Sequence, residues 1–443
     1  MKITHYSNSF ISVKSGNSTL VCDPWIGKAD NNAWISYPIH KNGASIVNNL
    51  NPTFIYISHL HNDHFDPKLL KKIINKNKVK IVIKKFNNER LKNKIKELNF
   101  KNIIEILPWK KFKLNKDLCI SIIPQETNNK DNIDTKINYD LDTSIIIQST
   151  NTKKIFYNNV DNPLSTNDLK KLNIFVKEQY KSKINIACFP LGGASEYPQC
   201  FFKINKVKEK KRIIDNSVIT VKTKLNILKP EVFFPAGGNY LIYGKFNHLN
   251  KFVSQPNNYH EIFKKLKRST QKNCEIEGGN SMIYHNDEWI KISKKKYIKK
   301  NLIKEISKKY AKDLYGYEKI KIGNMNKLDS LFSLAKKKYL DIINNHYNGF
   351  NWRIKFHLYD NLKINNKDKI TKNSRKVREY IIDCVDPKKT QILDCHLDKN
   401  LFYCLITKKY NWNIALSGSL IMFERRPNKF FPDIPFSLNF LNC

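Results

Sequence analysis

Three imidazoles and a carboxylate fall within six residues, His59-Leu60-His61-Asn62-Asp63-His64, in a chain with 11 His among 443 residues. Such density is hard to reconcile with a plain polar loop. The apolar run Phe54-Ile55-Tyr56-Ile57 precedes it and reads as a buried strand. Asp66-Pro67 follows, an N-cap residue with Pro at the first helical position. The cluster therefore belongs to a tight loop between a strand end and a helix start. His59 and His61, two apart, converge from one side of an extended loop, whereas Asp63 and His64 turn with the chain and can serve a second metal. Imidazole with carboxylate suits zinc, iron or manganese better than calcium. One or two divalent transition metals are thus expected, zinc first.

This H-x-H-x-D-H pattern resembles the metallo-β-lactamase superfamily. The resemblance implies an α/β fold, an αββα metallo-β-lactamase sandwich with metals at one edge of its two sheets. It covers roughly residues 1–290. A basic connector over 291–325 and a smaller α+β domain over 326–443 are expected to follow.

Further matches fall in order along the chain. Strands Ile3–His5 with Ser9–Val13, and Thr19–Asp23, flank a hairpin turn at Lys14–Asn17. In the resembled superfamily the Asp of a D-P step supports the metal loop from behind, and Asp23 matches it. His5 matches a His on the first strand, and reads equally as a satisfied structural His. The stretch from Asp23-Pro24-Trp25 through Gly27 to Trp34 and Pro38 is similar to the metallo-β-lactamase part of CMP-N-acetylneuraminic acid hydroxylase and its bacterial relatives. Trp25 and Trp34 then line a sugar or base pocket, or simply pack.

Asp161 ends a strand read over Lys153–Asp161, where the resemblance implies a metal-bridging carboxylate. Most of the superfamily adds a His between the motif and that Asp, but no His lies between His64 and His248. Glu126 stands near the required place as an oxygen ligand, and Asp142 reads as structural. His248 is the candidate for the last ligand, or a plain surface His. The loop Gly193-Ala194-Ser195-Glu196-Tyr197-Pro198 also resembles the hydroxylase group, with Ser195 and Tyr197 as substrate-binding candidates.

Beyond the connector, Leu328, Leu331, Ala335, Tyr339 and Ile342 give an amphipathic helix, and Trp352–Tyr359 alternates as a half-buried strand. The tail, helix then turn then edge strand, weakly resembles sterol-carrier-like domains, which enclose an apolar cavity. An α+β dimerisation or lid module fits as well.

Net charge is +40 at pH 7. An anionic small-molecule or lipid substrate fits this field, yet the Lys are dispersed, as compositional drift would leave them. Nucleic acid is a weaker partner, since β-CASP-type additions are not evident. The nine Cys are odd in number and scattered without a C-x-x-C pair, as expected of reduced thiols in a cytoplasm. No run of about 18 apolar residues suggests a membrane span. No C-x-H with a later C-x-x-H occurs, so the sequence holds no Rieske ligand set.

These readings favour a metal-dependent hydrolase acting on a nucleotide sugar, sugar phosphate or phospholipid. His59, His61, His64 and Asp161 are the ligands, and Asp63 is both ligand and proton acceptor. An iron oxygenase component with a separate electron donor, or a binding protein with a degraded site, are the alternatives.

Overall fold

The structure, a computed structural model, describes residues 1–29, 33–37, 39–40, 42–125, 142–238, 240–255, 262, 264–266, 275–276, 282–285, 288–291, 309, 313–320, 322, 324–347, 350–365, 367–384, 391–429, 431 and 433–443. Glu126 and most of the expected connector lie outside the described residues.

Side-chain alternation decides how the strands lie. In Ser18–Cys22, Leu20 and Cys22 face one core and Val21 another; in Thr143–Ser149, Ile145 and Ile147 face the first core and Ile146 a third. A slip of one residue would turn each apolar set to the wrong face, so the register is firmly set. The first sheet runs, in spatial order, Glu288–Lys291, Met282–His285, Lys2–Ser7, Phe10–Ser15, Ser18–Cys22, Phe54–Tyr56, Lys80–Lys84 and Ile103–Ile106. It is antiparallel up to Ser18–Cys22 and parallel beyond. The second runs Glu275–Ile276, Val232–Pro235, Ile186–Phe189, Ile155–Asn158, Thr143–Ser149, Leu118–Pro124 and Phe112–Lys113, parallel first and antiparallel last.

The inner faces pack on each other through Ile11, Val13, Leu20, Phe54 and Tyr56 against Ile120, Ile122, Ile145, Phe156 and Phe234. Helices Pro67–Lys71 and Arg90–Glu97 cover the outside of the first sheet with Leu69, Leu70, Leu91 and Ile95. Helices Thr166–Tyr180 and Lys206–Leu228 cover the second with Leu169, Leu172, Val176, Val221 and Leu225. This is the αββα metallo-β-lactamase sandwich that the resemblance implied. The helix Lys206–Leu228 starts after Phe201 has bridged to Phe423, and the Asn205 side chain accepts the Lys208 N–H at 3.1 Å as its cap.

A smaller α+β domain follows the sandwich. Its sheet runs Lys376–Cys384, Trp352–Tyr359, Gln391–Asp398 and Met422–Arg426, with a parallel pair at the centre. Helices Met325–His346, Lys399–Ile406 and Trp412–Ser417 pack with it into one aromatic core. Between Phe201, Leu393, Leu416 and Ile434 the free volume is about 20 Å³, room for about one water. Nothing there matches the apolar cavity that the sterol-carrier resemblance implied.

That core continues into the sandwich through Trp25, Trp34 and Tyr240. Backbone bonds from Phe202 N to Phe423 O and from Phe423 N to Cys200 O, both 2.8 Å, join the two parts. Lys245 adds an ion pair to Asp398 at 2.6 Å. Among the described residues no helix is long and apolar enough to cross a membrane.

Candidate metal centre

The metal loop leaves the carboxyl end of Phe54–Tyr56, at the rim where the parallel strands of both sheets end. Two groups of three donors stand there: His59, His61 and Asp142, and Asp63, His64 and Asp161. Within each group the donor atoms lie within 4.8 Å of one another.

Asp23 builds the loop from beneath. It is fully buried and sits at φ +41°, a left-handed conformation that a non-glycine residue adopts at a cost. Its Oδ1 accepts the Ser58 N–H at 2.8 Å, and its Oδ2 accepts the Ser58 hydroxyl at 2.7 Å and His64 Nδ1–H at 2.9 Å. Since the Ser58 proton is engaged by Asp23, His59 Nδ1–H donates to Ser58 Oγ at 2.9 Å. In their neutral forms both imidazoles thereby turn a bare Nε2 toward the rim, the tautomer that metal ligation requires. Burial raises the Asp23 pKa, opposed by His64 and Ser58.

At the first triad, His59 Nε2 lies 2.7 Å from His61 Nδ1 and 3.0 Å from Asp142 Oδ1. His61 Nε2 and Asp142 Oδ1 are buried without a hydrogen-bond partner. Lone pairs converging on one point, with unsatisfied buried atoms among them, are unfavourable unless a cation sits between. At the second triad, His64 Nε2 lies 3.1 Å from Asp161 Oδ2 and 3.5 Å from Asp63 Oδ2. The donor sets thus fit transition metals of zinc, iron or manganese type.

The electrostatics of the two triads differ. Burial and the neighbouring His64 and His61 push the His59 pKa well down. For His64 burial acts in the same direction, but Asp63 and Asp161 overcome it and hold the pKa well above the ordinary value. Asp63, against its own burial, is held at about 2 by His64 and His61. Asp142 is pushed up to about 7 by burial, with Asp161 and Asp63 adding to the shift.

Each triad takes its third ligand from the second sheet. Asp142 immediately precedes the strand Thr143–Ser149, and Thr143 ties that strand to the loop, its hydroxyl donating to Ser58 O at 2.8 Å. Asp161 follows the strand Ile155–Asn158, with Val160 in a left-handed conformation at φ +52°. Gly237, at φ +94°, lies beneath it, where an added Cβ would stand 3.0 Å from Asp161 Oδ1.

The structure also relocates several expected site residues. Asp142, read as structural, stands as the third donor of the first triad. His5 does not reach the loop; its Nε2 bonds Asn8 O at 2.8 Å, and Asn8 Nδ2 donates to Asp63 Oδ2 at 3.3 Å. His248 joins neither triad: after Gly237 the chain pairs Tyr240–Ile242 with Trp34–Ser36, and by residue 248 it has reached Lys206 and Asp368. Trp25, 1% exposed, packs in the core shared by the two domains and does not line the cavity of about 950 Å³ that adjoins the triads. Ser195 closes a local turn with Tyr197, whose hydroxyl donates to Glu209 at 2.8 Å, so Gly192 and Ala194 face the site in their place. Trp34 does line the cavity, its ring 5.5 Å from Tyr240.

No protein-family model matches the chain. Two curated relatives, provisionally named Rieske 2Fe-2S iron–sulfur proteins, come from Mycolicibacterium smegmatis (29% identity over 106 residues, 24% of this chain and 20% of that one) and Mycobacterium tuberculosis (29% over 126 residues, 28% and 24%). The chain therefore spans a quarter or less of these relatives' length. Among solved structures, the isothiocyanate hydrolase from Delia radicum gut bacteria is similar at TM-score 0.42 and 13% identity, covering 66% of this chain and all of that one. CmlA, a diiron β-hydroxylase from Streptomyces venezuelae, gives 0.42 and 11%, covering 66% and 54%. The metallo-β-lactamase fold protein YhfI from Bacillus subtilis gives 0.38 and 10%, covering 64% and 99%. The chain's own two-sheet topology carries the assignment to the metallo-β-lactamase fold. At the rim of that fold it presents two His/Asp triads able to hold metal.

Proposed function

We propose that the protein is a metal-dependent hydrolase that acts on an anionic substrate, a nucleotide sugar, sugar phosphate or phospholipid. The observation that carries this reading is the pair of facing triads, His59/His61/Asp142 and Asp63/His64/Asp161, at the floor of a cavity of about 950 Å³. Divalent metals bound there supply Lewis acidity, which acidifies water and polarises a substrate oxygen. The chain's own part is orientation and proton handling. Asp23 and Ser58 fix the imidazole tautomers, Asn8 holds Asp63, and Asp63 is placed to accept a proton from the attacking water. Trp34 and Tyr240 wall the cavity and exclude solvent on one side.

The test is a substrate panel on metal-reconstituted protein. Turnover of phosphorylated or nucleotide-linked compounds, lost on chelation and restored by metal, is expected. Neutral esters or lactones reacting while those compounds do not would overturn the substrate class. A second reading, an iron oxygenase component related to CMP-sialic acid hydroxylase, draws support from the iron–sulfur names of the two mycobacterial relatives. Dioxygen uptake that depends on an added reductase would favour it over hydrolysis.

A further inference from the structure

The cavity over the triads is not built by the sandwich alone. The sandwich contributes Asp63, Asp142, Asp161, Trp34 and Tyr240 to its lining, but a further wall is the segment from Lys408 to Ser417, near the far end of the chain. That wall is held in place. Lys408 turns at φ +57° after the helix Lys399–Ile406, and Tyr410 N bonds back to Cys404 O at 3.0 Å. Through the Phe201–Phe423 bridge the domain that carries it is tied to the sandwich by backbone.

The charges on this lining are lopsided. Lys68, Arg90 and Lys94 reach it from the sandwich, and Lys408 and Lys409 from the α+β domain. Among its described residues the carboxylates are Asp63, Asp142 and Asp161, all donors of the two triads. Lys408 stands beside Lys338 and within electrostatic reach of Arg90, and burial together with these like charges draws its pKa down. Cations crowded at a cavity mouth repel one another, and a bound anion offsets that repulsion.

We propose that Lys408 and Lys409, with Arg90 of the sandwich, form a phosphate-binding subsite that the α+β domain contributes to the substrate of the metal centre. The inference rests on reading the cavity as the substrate site. A phosphate fits better than a single carboxylate, because three acceptor oxygens can take an Arg fork and Lys point charges together. The volume of about 950 Å³ lies at the upper end of ligand pockets and accommodates a molecule that reaches the triads and the subsite together.

Calorimetric titration of the full chain tests this, with inorganic pyrophosphate, AMP and glucose 6-phosphate as probes, on metal-loaded and on chelated protein. At least one probe should bind wild type. The double variant Lys408→Gln/Lys409→Gln should weaken it by about tenfold or more, the scale of losing charge-assisted contacts. Melting temperature and metal content should not change. The exposed pair Lys367→Gln/Lys372→Gln removes the same charge elsewhere and should leave affinity near wild type. Tighter AMP than glucose 6-phosphate identifies a nucleotide source, the reverse a sugar phosphate, and pyrophosphate alone a free phosphate. No binding by any probe, equal affinity in the Lys408/Lys409 variant, or equal loss in the control pair overturns the subsite. If metal fails to bind but affinity still depends on Lys408 and Lys409, the hydrolase reading fails and the subsite stands.

Discussion

The two triads use the same residue types in opposite proportion. His59, His61 and Asp142 pair two imidazoles with one carboxylate, and Asp63, His64 and Asp161 pair one imidazole with two. A proton serves as a probe of the difference: His59 resists it, and His64 holds it far above the usual pKa. The second triad carries the larger share of carboxylate, and it alone has Asp23 directly bonded to its imidazole. In both, two ligands come from one loop and the third from across the sandwich. The ligand sets exist only once the two sheets have packed.

Asp161→Asn should have the largest effect. The amide keeps the shape but removes one of two negative charges from the second triad. Turnover should fall by about 100-fold or more, given that even supporting changes at metal sites cost about 10–100-fold. Bound metal should drop at the second triad with the melting curve little moved. Unchanged turnover would take Asp161 out of the site.

Asp23→Asn should come next, with metal affinity lowered by about 10–100-fold. His64 loses its partner directly and His59 only through Ser58, so the second triad should weaken more. Equal weakening of both, measured by competition with a chelator, would remove the asymmetry on which the comparison rests.

Gly237→Ala should perturb only the second triad. The φ of +94° and the 3.0 Å approach to Asp161 Oδ1 leave a methyl group strained, at about 1–3 kcal/mol. A loss of first-triad metal in this variant would show that the triads are not separable.

Acid titration needs a control, because metal release and unfolding both follow falling pH. His396, in the distant sheet, has its pKa lowered to about 4 by burial and by His357. Its folded-state pKa lies below its unfolded one, so its neutral form adds stability above about pH 6.5, and that stability is lost as pH falls toward 4. His396→Asn should flatten the fall in melting temperature over that window and leave metal content at pH 7 as in wild type. An unchanged slope would rule out this source.

Much of the first sheet and the loop was legible in sequence, since strand alternation and the H-x-H-x-D-H spacing are local signals. Asp161 could be anticipated as an acid after a strand. Asp142 could not, because an acid before a strand has no spacing signal and its partner His59 is far away in sequence. Trp25, Ser195 and Tyr197 looked like lining residues, but which face of a loop meets a cavity depends on packing. The wall at Lys408–Ser417 had no signal at all, since it joins the site only through docking of the second domain.

The most direct test of the two-triad account is metal stoichiometry by elemental analysis of wild type and Asp142→Ala after reconstitution with zinc, iron or manganese. The account requires two equivalents in wild type and one in the variant, since the second triad keeps all its donors. Wild type holding no transition metal, or Asp142→Ala still holding two equivalents, would contradict it.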